Sequence, residues 1–284
     1  MRVVNLDGRA ALLIGDDAYI DVATASDGRL PADPQALFDD WASFSAWAAT
    51  APVASAEPMD GRRPGPPVPR PRQVFAIGMN YRDHAAEIGV PVPETLSVFT
   101  KFSTCLAGAF DAIPLPEAGQ FDWEVEIVAV IGRHAWQIDE ADAWDHVAGL
   151  TVGQDLTDRR MQNQGAMPQF SLAKSLPGFG PTGPWLVTPD ELDDPDDLRL
   201  GCSVNGEVVQ SGSSRNLVFG IAELVARLSR VVPLVPGDLL FTGTPAGVGA
   251  AQTPPASLSP GDLLESWIDG VGRMRNVCEP AAGR

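Results

Sequence analysis

Hydrophobic and polar positions along residues 121–132 (Phe-Asp-Trp-Glu-Val-Glu-Ile-Val-Ala-Val-Ile-Gly) spell a core strand that contains two carboxylates. In an extended chain side chains alternate faces, so Glu124 and Glu126 point the same way, roughly 7 Å apart at about 3.3 Å of rise per residue. Val125, Ile127, Ala129 and Ile131 fill the other face. An edge strand with acids facing water is the alternative for an isolated E-x-E. Val128 and Val130 oppose it, because they continue the glutamate face as apolar. Two like charges held so close raise one another's pKa unless a cation sits between them.

The rest of the pattern is short strands with few helices. Residues 9–14 and 18–22 read as strands, and Leu37, Phe38, Trp41, Phe44 and Trp47 recur at helical spacing. Residues 51–72 are rich in Pro, Gly and Ala, which excludes helix and central strand. Next come a strand at 73–78, a segment at 80–87 that places His84 and Glu87 on one face if helical, and a helix over 140–148. Asp155 then stands at the end of a strand. Asn205-Gly206 favours a type I′ hairpin turn, and Leu217, Val218, Ile221, Leu224, Val225 and Leu228 form the apolar stripe of one helix. Pro236-Gly237-Asp238 and Pro260-Gly261-Asp262 are two tight turns, each feeding a strand. Connections too short for regular βαβ alternation predict an α+β fold, predominantly β, with mixed sheets. The expected organisation is a small N-terminal α/β unit at 1–50, a Pro-rich linker at 51–72 and a catalytic domain at 73–284.

Composition narrows the function. The chain has 284 residues, 44% of them hydrophobic, enough for a proper core. A formal charge of −17 argues against nucleic acid and anionic lipid as partners. No apolar run reaches bilayer length, and the N-terminus lacks the pattern of a signal peptide, so a cytoplasmic protein is expected. Cys105, Cys202 and Cys278 are scattered and read as reduced. The segment 178–183 formally matches G-x-G-x-x-G, yet Pro181 and Pro184 forbid the helix that a dinucleotide site requires.

Glu124, Glu126 and Asp155 offer three oxygen ligands without cysteine or a convincing second histidine. That set suits a hard cation, Mg²⁺, Mn²⁺ or Ca²⁺, and argues against zinc. Among the histidines, His84 stands out because Glu87 is its partner at helical spacing.

Several motifs in order resemble the fumarylacetoacetate hydrolase family over roughly residues 72–278. They are G-x-N-Y-x-x-H-x-x-E (Gly78 to Glu87), D-x-E-x-E (Asp122, Glu124, Glu126), Asp155 with Arg159 and Gln162, Ala173-Lys174-Ser175, Gly183-Pro184-Trp185, Pro236-Gly237-Asp238, and the run from Thr242 to Gly249. The resemblance implies a mixed β-sandwich roll of that family's C-terminal-domain type, a homodimer, and Mg²⁺ or Mn²⁺ on Glu124, Glu126 and Asp155. It also implies a small-molecule 2-oxo acid substrate and a place in aromatic catabolism. On this resemblance His84, oriented by Glu87, takes a proton from water. Lys174 supports the developing charge as a third catalytic residue, and Arg159, Gln162 and Thr244 hold the substrate. For Arg159 the alternative is plain pairing with an acid, and for Gln162 a place behind the substrate contacts.

The expected reaction is C–C hydrolysis of a 2,4-dioxo acid, of acylpyruvate or fumarylpyruvate type, through a metal-stabilised enolate. The alternatives are decarboxylation or isomerisation of a 2-oxo diacid, and a non-catalytic binding member. Gln154, where many members carry Asn, and altered segments at 176–179 and 213–216 are the departures, and they bear on substrate identity.

Overall fold

Strand Val125–Ile131 is buried at every position and lies inside a twelve-stranded mixed sheet. The computed structural model describes residues 1–282, so the last two positions of the expected 73–284 domain lie outside the described residues. Val147–Gln154 pairs antiparallel with one side of this strand and Leu239–Phe241 with the other. Leu239–Phe241 also runs parallel to Val74–Gly78. A second sheet of five strands, among them Arg199–Val204, Leu263–Ile268 and Gly272–Pro280, covers one face of the first.

Alternation along Val125–Ile131 decides what each face meets. Val125, Ile127 and Ala129 share a core with Leu200, Cys202, Leu264 and Met274 of the second sheet. Val128 and Val130 point to the other side and pack with Leu37, Phe38 and Phe44 of the N-terminal helical segment. This is the α+β, sheet-dominated fold that the pattern predicts, in the sandwich form that the family resemblance implies.

Residues 1–50 supply strands Arg2–Leu6, Arg9–Ile14 and Ala18–Asp21 and helix Trp41–Ala48. Arg2–Leu6 pairs antiparallel with Gly180–Val187, so the large sheet runs on into this segment. Two short strands of the Pro-rich stretch, Glu57–Pro58 and Pro64–Gly65, pair with Ala18–Asp21 and Arg2–Leu6. Asn205 and Gly206 adopt φ of 53° and 84°, both positive as a type I′ turn requires.

The structure corrects several element boundaries. The strand expected over 121–132 is interrupted at Trp123 and Glu124, and Phe121–Asp122 pairs separately with Thr157–Asp158. The helix expected from Leu217 begins at Ile221, because the N–H groups of Val218 and Phe219 donate to the backbone and side-chain oxygens of Asn80 at 2.7 and 3.0 Å. A stripe reports which residues are apolar, not where helical hydrogen bonding starts. The helix expected over 140–148 is a 3₁₀ helix, Glu140–His146, and Val147 already belongs to a strand.

Candidate metal and substrate site

The break before Val125 is what builds the site. Glu124 lies outside the ladder and Val125 at its first rung, and two buried side-chain amides take their N–H groups. Glu124 N–H donates to Gln154 Oε1 and Val125 N–H to Gln210 Oε1, both at 2.9 Å. The Glu124 carbonyl in turn accepts from Asp155 N–H at 2.9 Å. A buried backbone group without a partner costs free energy, so these bonds define where the strand bends. The bend brings Glu124 and Glu126 against Asp155, with one oxygen of each within 4.8 Å of the others, all three residues buried.

Three cations surround this acidic cluster. Lys174 Nζ lies 2.7 Å from Glu124 Oε2 and 2.8 Å from Asp155 Oδ2. Arg159 reaches Glu124 Oε1 at 2.5 Å and Asp122 Oδ2 at 2.8 Å, so it pairs with acids, and its Nη1 donates to Gln162 Oε1 at 3.0 Å. Lys101, buried, holds Asp155 Oδ1 at 2.7 Å and also donates to the carbonyls of Lys174 and Phe179. Burial alone pushes the Glu124 carboxyl up, and Lys174 and Arg159 outweigh it to hold its pKa at about 2. Glu126 has no cationic partner among the described residues. Burial, then Asp155 and Glu124, push it well above the usual carboxylate range, and the charge of Lys174 and Gly243 N–H, 2.7 Å from Oε2, compensate only in part. For Lys174, burial opposes the charge, but Asp155 and Glu124 prevail and raise its pKa.

The cluster fits a divalent cation. Asp155 Oδ2 is buried and accepts no well-directed hydrogen bond, although Lys174 Nζ is close, and Glu126 is only partly compensated. Asp122, Glu124, Glu126 and Asp155 face only Lys101, Arg159 and Lys174, which leaves one formal negative charge. All-oxygen donors suit Mg²⁺, Mn²⁺ or Ca²⁺.

A cavity of about 310 Å³ opens onto the cluster and is lined by His84, Glu124, Glu126, Asp155, Arg159, Gln162, Lys174 and Thr244. Helix Arg82–Glu87 carries His84, whose Nδ1 lies 2.9 Å from Glu87 Oε2. Glu87 stands behind the histidine, and its Oε1 accepts from Gly247 N–H at 2.7 Å, which ties the pair to the loop after Leu239–Phe241. Thr244 lines the cavity, yet its hydroxyl donates to the Val125 carbonyl at 2.9 Å and accepts from Gln210 Nε2 at 2.8 Å. Every candidate residue of the sequence therefore lies in or directly behind one cavity. His134 is exposed and His146 buried, and neither lines it.

Three contributors were not singled out by sequence reasoning. Lys101 follows the strand Ser97–Thr100 with no motif to mark it. Asp122 was visible only as the first acid of D-x-E-x-E, and nothing in the chain marked Gln210, which the structure places in strand Glu207–Ser213. Gln154 was noted as a departure, and its function is to hold Glu124 N–H.

Comparison with known proteins gives the family. The family model for the fumarylacetoacetate (FAA) hydrolase C-terminal domain matches residues 73–279. Human oxaloacetate tautomerase FAHD2A, mitochondrial, is 44% identical over 211 residues, 74% of this chain and 67% of the relative. A solved Mycobacterium smegmatis structure superposes with a TM-score of 0.94 at 49% identity, covering 99% of this chain and 100% of that one. Maleylpyruvate hydrolase from Sphingobium sp. SYK-6, solved with manganese(II) and pyruvate, gives 0.79 at 27% identity over 99% and 100% of the two chains. Motif order, sandwich fold and the buried carboxylate cluster thus converge on one conclusion, that this chain belongs to the fumarylacetoacetate hydrolase family.

Proposed function

We propose that this protein is a divalent-metal-dependent enzyme that moves a proton at the carbon beside the keto group of a 2-oxo acid, as a tautomerase or isomerase does. The observation that carries this reading is the His84–Glu87 pair, which faces the same cavity as the carboxylate cluster. A cation held by Glu124, Glu126 and Asp155 would polarise the keto oxygen and acidify the neighbouring C–H. Glu87 accepts Nδ1–H, which leaves His84 Nε2 as the atom that takes and returns the proton. Lys174 and Arg159 keep Glu124 ionised, and Lys101 holds one oxygen of Asp155 so that the other faces the cluster. Gln162 gives its carbonyl to Arg159 and has its amide N–H groups for a substrate oxygen. Thr244 positions the Val125 backbone with its hydroxyl.

C–C hydrolysis of a 2,4-dioxo acid, the first expectation from sequence, stands as the second reading. It uses the same base on water, and the likeness to maleylpyruvate hydrolase supports it at 27% identity, against 44% for the oxaloacetate tautomerase. Assays of enol-oxaloacetate, unsaturated 2-oxo diacids, phenylpyruvate and acylpyruvates with Mg²⁺ or Mn²⁺ separate the two. Turnover of acylpyruvates alone assigns hydrolysis, and turnover of none leaves a binding member of the family. Free, buried cysteines suit the reducing cytoplasm, which we keep as the proposed compartment, although the human relative carries a mitochondrial name. The expected homodimer is tested by sedimentation. No helix of the described residues is long and apolar enough to cross a membrane.

A further inference from the structure

We infer that the pocket selects 2-oxo acids with a single carboxylate and an apolar tail over 2-oxo diacids, an inference that rests on the 2-oxo acid reading above. The cavity has two unlike ends. At one end lie the carboxylates and their cations. The rest of the wall is mainly apolar, with Ile77, Met79, Ile88, Phe99, Phe170 and Val248, and its polar members, among them Ser97 and Asn163, carry no charge. Phe99 and Phe170 stack with ring centroids 5.6 Å apart, and Lys174 Nζ sits 5.4 Å above the Phe99 ring, so that ring marks the boundary between the ends. A substrate whose keto acid group lies at the carboxylate cluster must extend its distal substituent along this apolar wall.

Among the described residues no cation is left for a second carboxylate there. Those that line the cavity are Arg159 and Lys174, and each already holds acids, Asp122 and Glu124 for the first and Glu124 and Asp155 for the second, while His84 is engaged by Glu87. Arg82 and Arg160, on the two short helices beside the cavity, do not line it. The charge balance agrees. One surplus negative charge becomes one positive charge with a divalent ion, which a single carboxylate neutralises. A second would restore the imbalance inside a chain of formal charge −17. A carboxylate against apolar side chains also loses hydration without a partner, which is how sites reject a ligand. A flat or branched hydrocarbon tail loses nothing there and gains contact with Phe99 and Phe170.

The test compares phenylpyruvate with oxaloacetate on the Mn²⁺-loaded protein, following keto–enol interconversion, and measures binding of both to His84→Ala, which should turn them over only slowly. Wild type should favour phenylpyruvate at least tenfold in kcat/KM, and His84→Ala should bind the two in the same order. Phe170 is partly exposed, so Phe170→Arg can be folded and should shift the ratio at least tenfold towards oxaloacetate, whereas Phe170→Leu should keep the preference. Equal or better use of oxaloacetate by wild type overturns the inference, as does failure of His84→Ala to bind either acid. Tight phenylpyruvate binding without turnover by wild type defeats the proton-transfer reading and sustains this one.

Discussion

Lys101 and Asp155 form an ion pair withdrawn from water, with Nζ 2.7 Å from Oδ1 and side chains 0% and 1% exposed. A lone buried lysine is costly, and so is a lone buried carboxylate, but each is tolerable beside the other. Lys101→Met should therefore destabilise the metal-free protein by about 3–5 kcal/mol in urea unfolding. A loss below about 1 kcal/mol, the range of exposed pairs, would show that the pair compensates nothing.

Metal binding should be visible as stability. The folded cluster binds the ion and the unfolded chain does not, so Mg²⁺ or Mn²⁺ at a hundredfold excess over its Kd should add about 2.7 kcal/mol. EDTA should remove both this gain and activity. Identical melting curves with and without either ion, with full activity in EDTA, would falsify the metal assignment.

Glu126 is the one cluster acid without a cationic partner, which gives its substitution an unusual sign. Glu126→Gln should raise the melting temperature of the metal-free protein and abolish the metal-induced shift. Glu124→Ala and Asp155→Ala should also abolish the shift, but they leave Lys174 with fewer partners and should not stabilise.

Base chemistry at His84 separates from metal binding. His84→Ala should lower kcat by roughly 10²–10⁴-fold while the Mn²⁺-dependent melting shift persists. Glu87→Gln keeps a hydrogen-bond acceptor but removes the charge, so it should lower kcat less and alter its pH profile. A lost metal shift in His84→Ala would count against the division of labour.

At acid pH the N-terminal hairpin offers a measurable effect. Its side-chain hydrogen bond to Arg9 is the main reason that Asp21 falls from its usual 3.8 to about 2. A depressed carboxyl stabilises the fold fully above its unfolded pKa, and that stability is lost as pH falls through about 2. Arg9 is half exposed, so solvent screens the pair and its contribution is small. The difference between wild type and Asp21→Asn should be constant above about pH 5 and close towards pH 2.

Local order was legible in the chain because it is set by neighbours. The two faces of 125–131 follow from the period of a strand, His84 meets Glu87 through one turn of helix, and Asn205-Gly206 supplies the positive φ values its turn requires. The carboxylate triad was legible too, since two of its members are two residues apart and like charges on one face demand a cation. Apolar stripes did not locate the start of the helix at Ile221, because Asn80, far away in sequence, takes the N–H groups that precede it.

Tertiary structure alone decided how the triad is held. Lys101 meets Asp155 from 54 positions away, and Gln210 reaches Val125 from 85, through strands whose pairing no local pattern encodes. Arg159 is the plainest case. Its residue type allows either a substrate or an acid as partner, and only the folding of Phe121–Asp122 against Thr157–Asp158 brings Asp122 and Glu124 to its guanidinium. Periodicity reports which side of an element is buried. Which charges meet in the interior depends on how separate strands are packed, and in a low-dielectric core that packing sets the charge of the site.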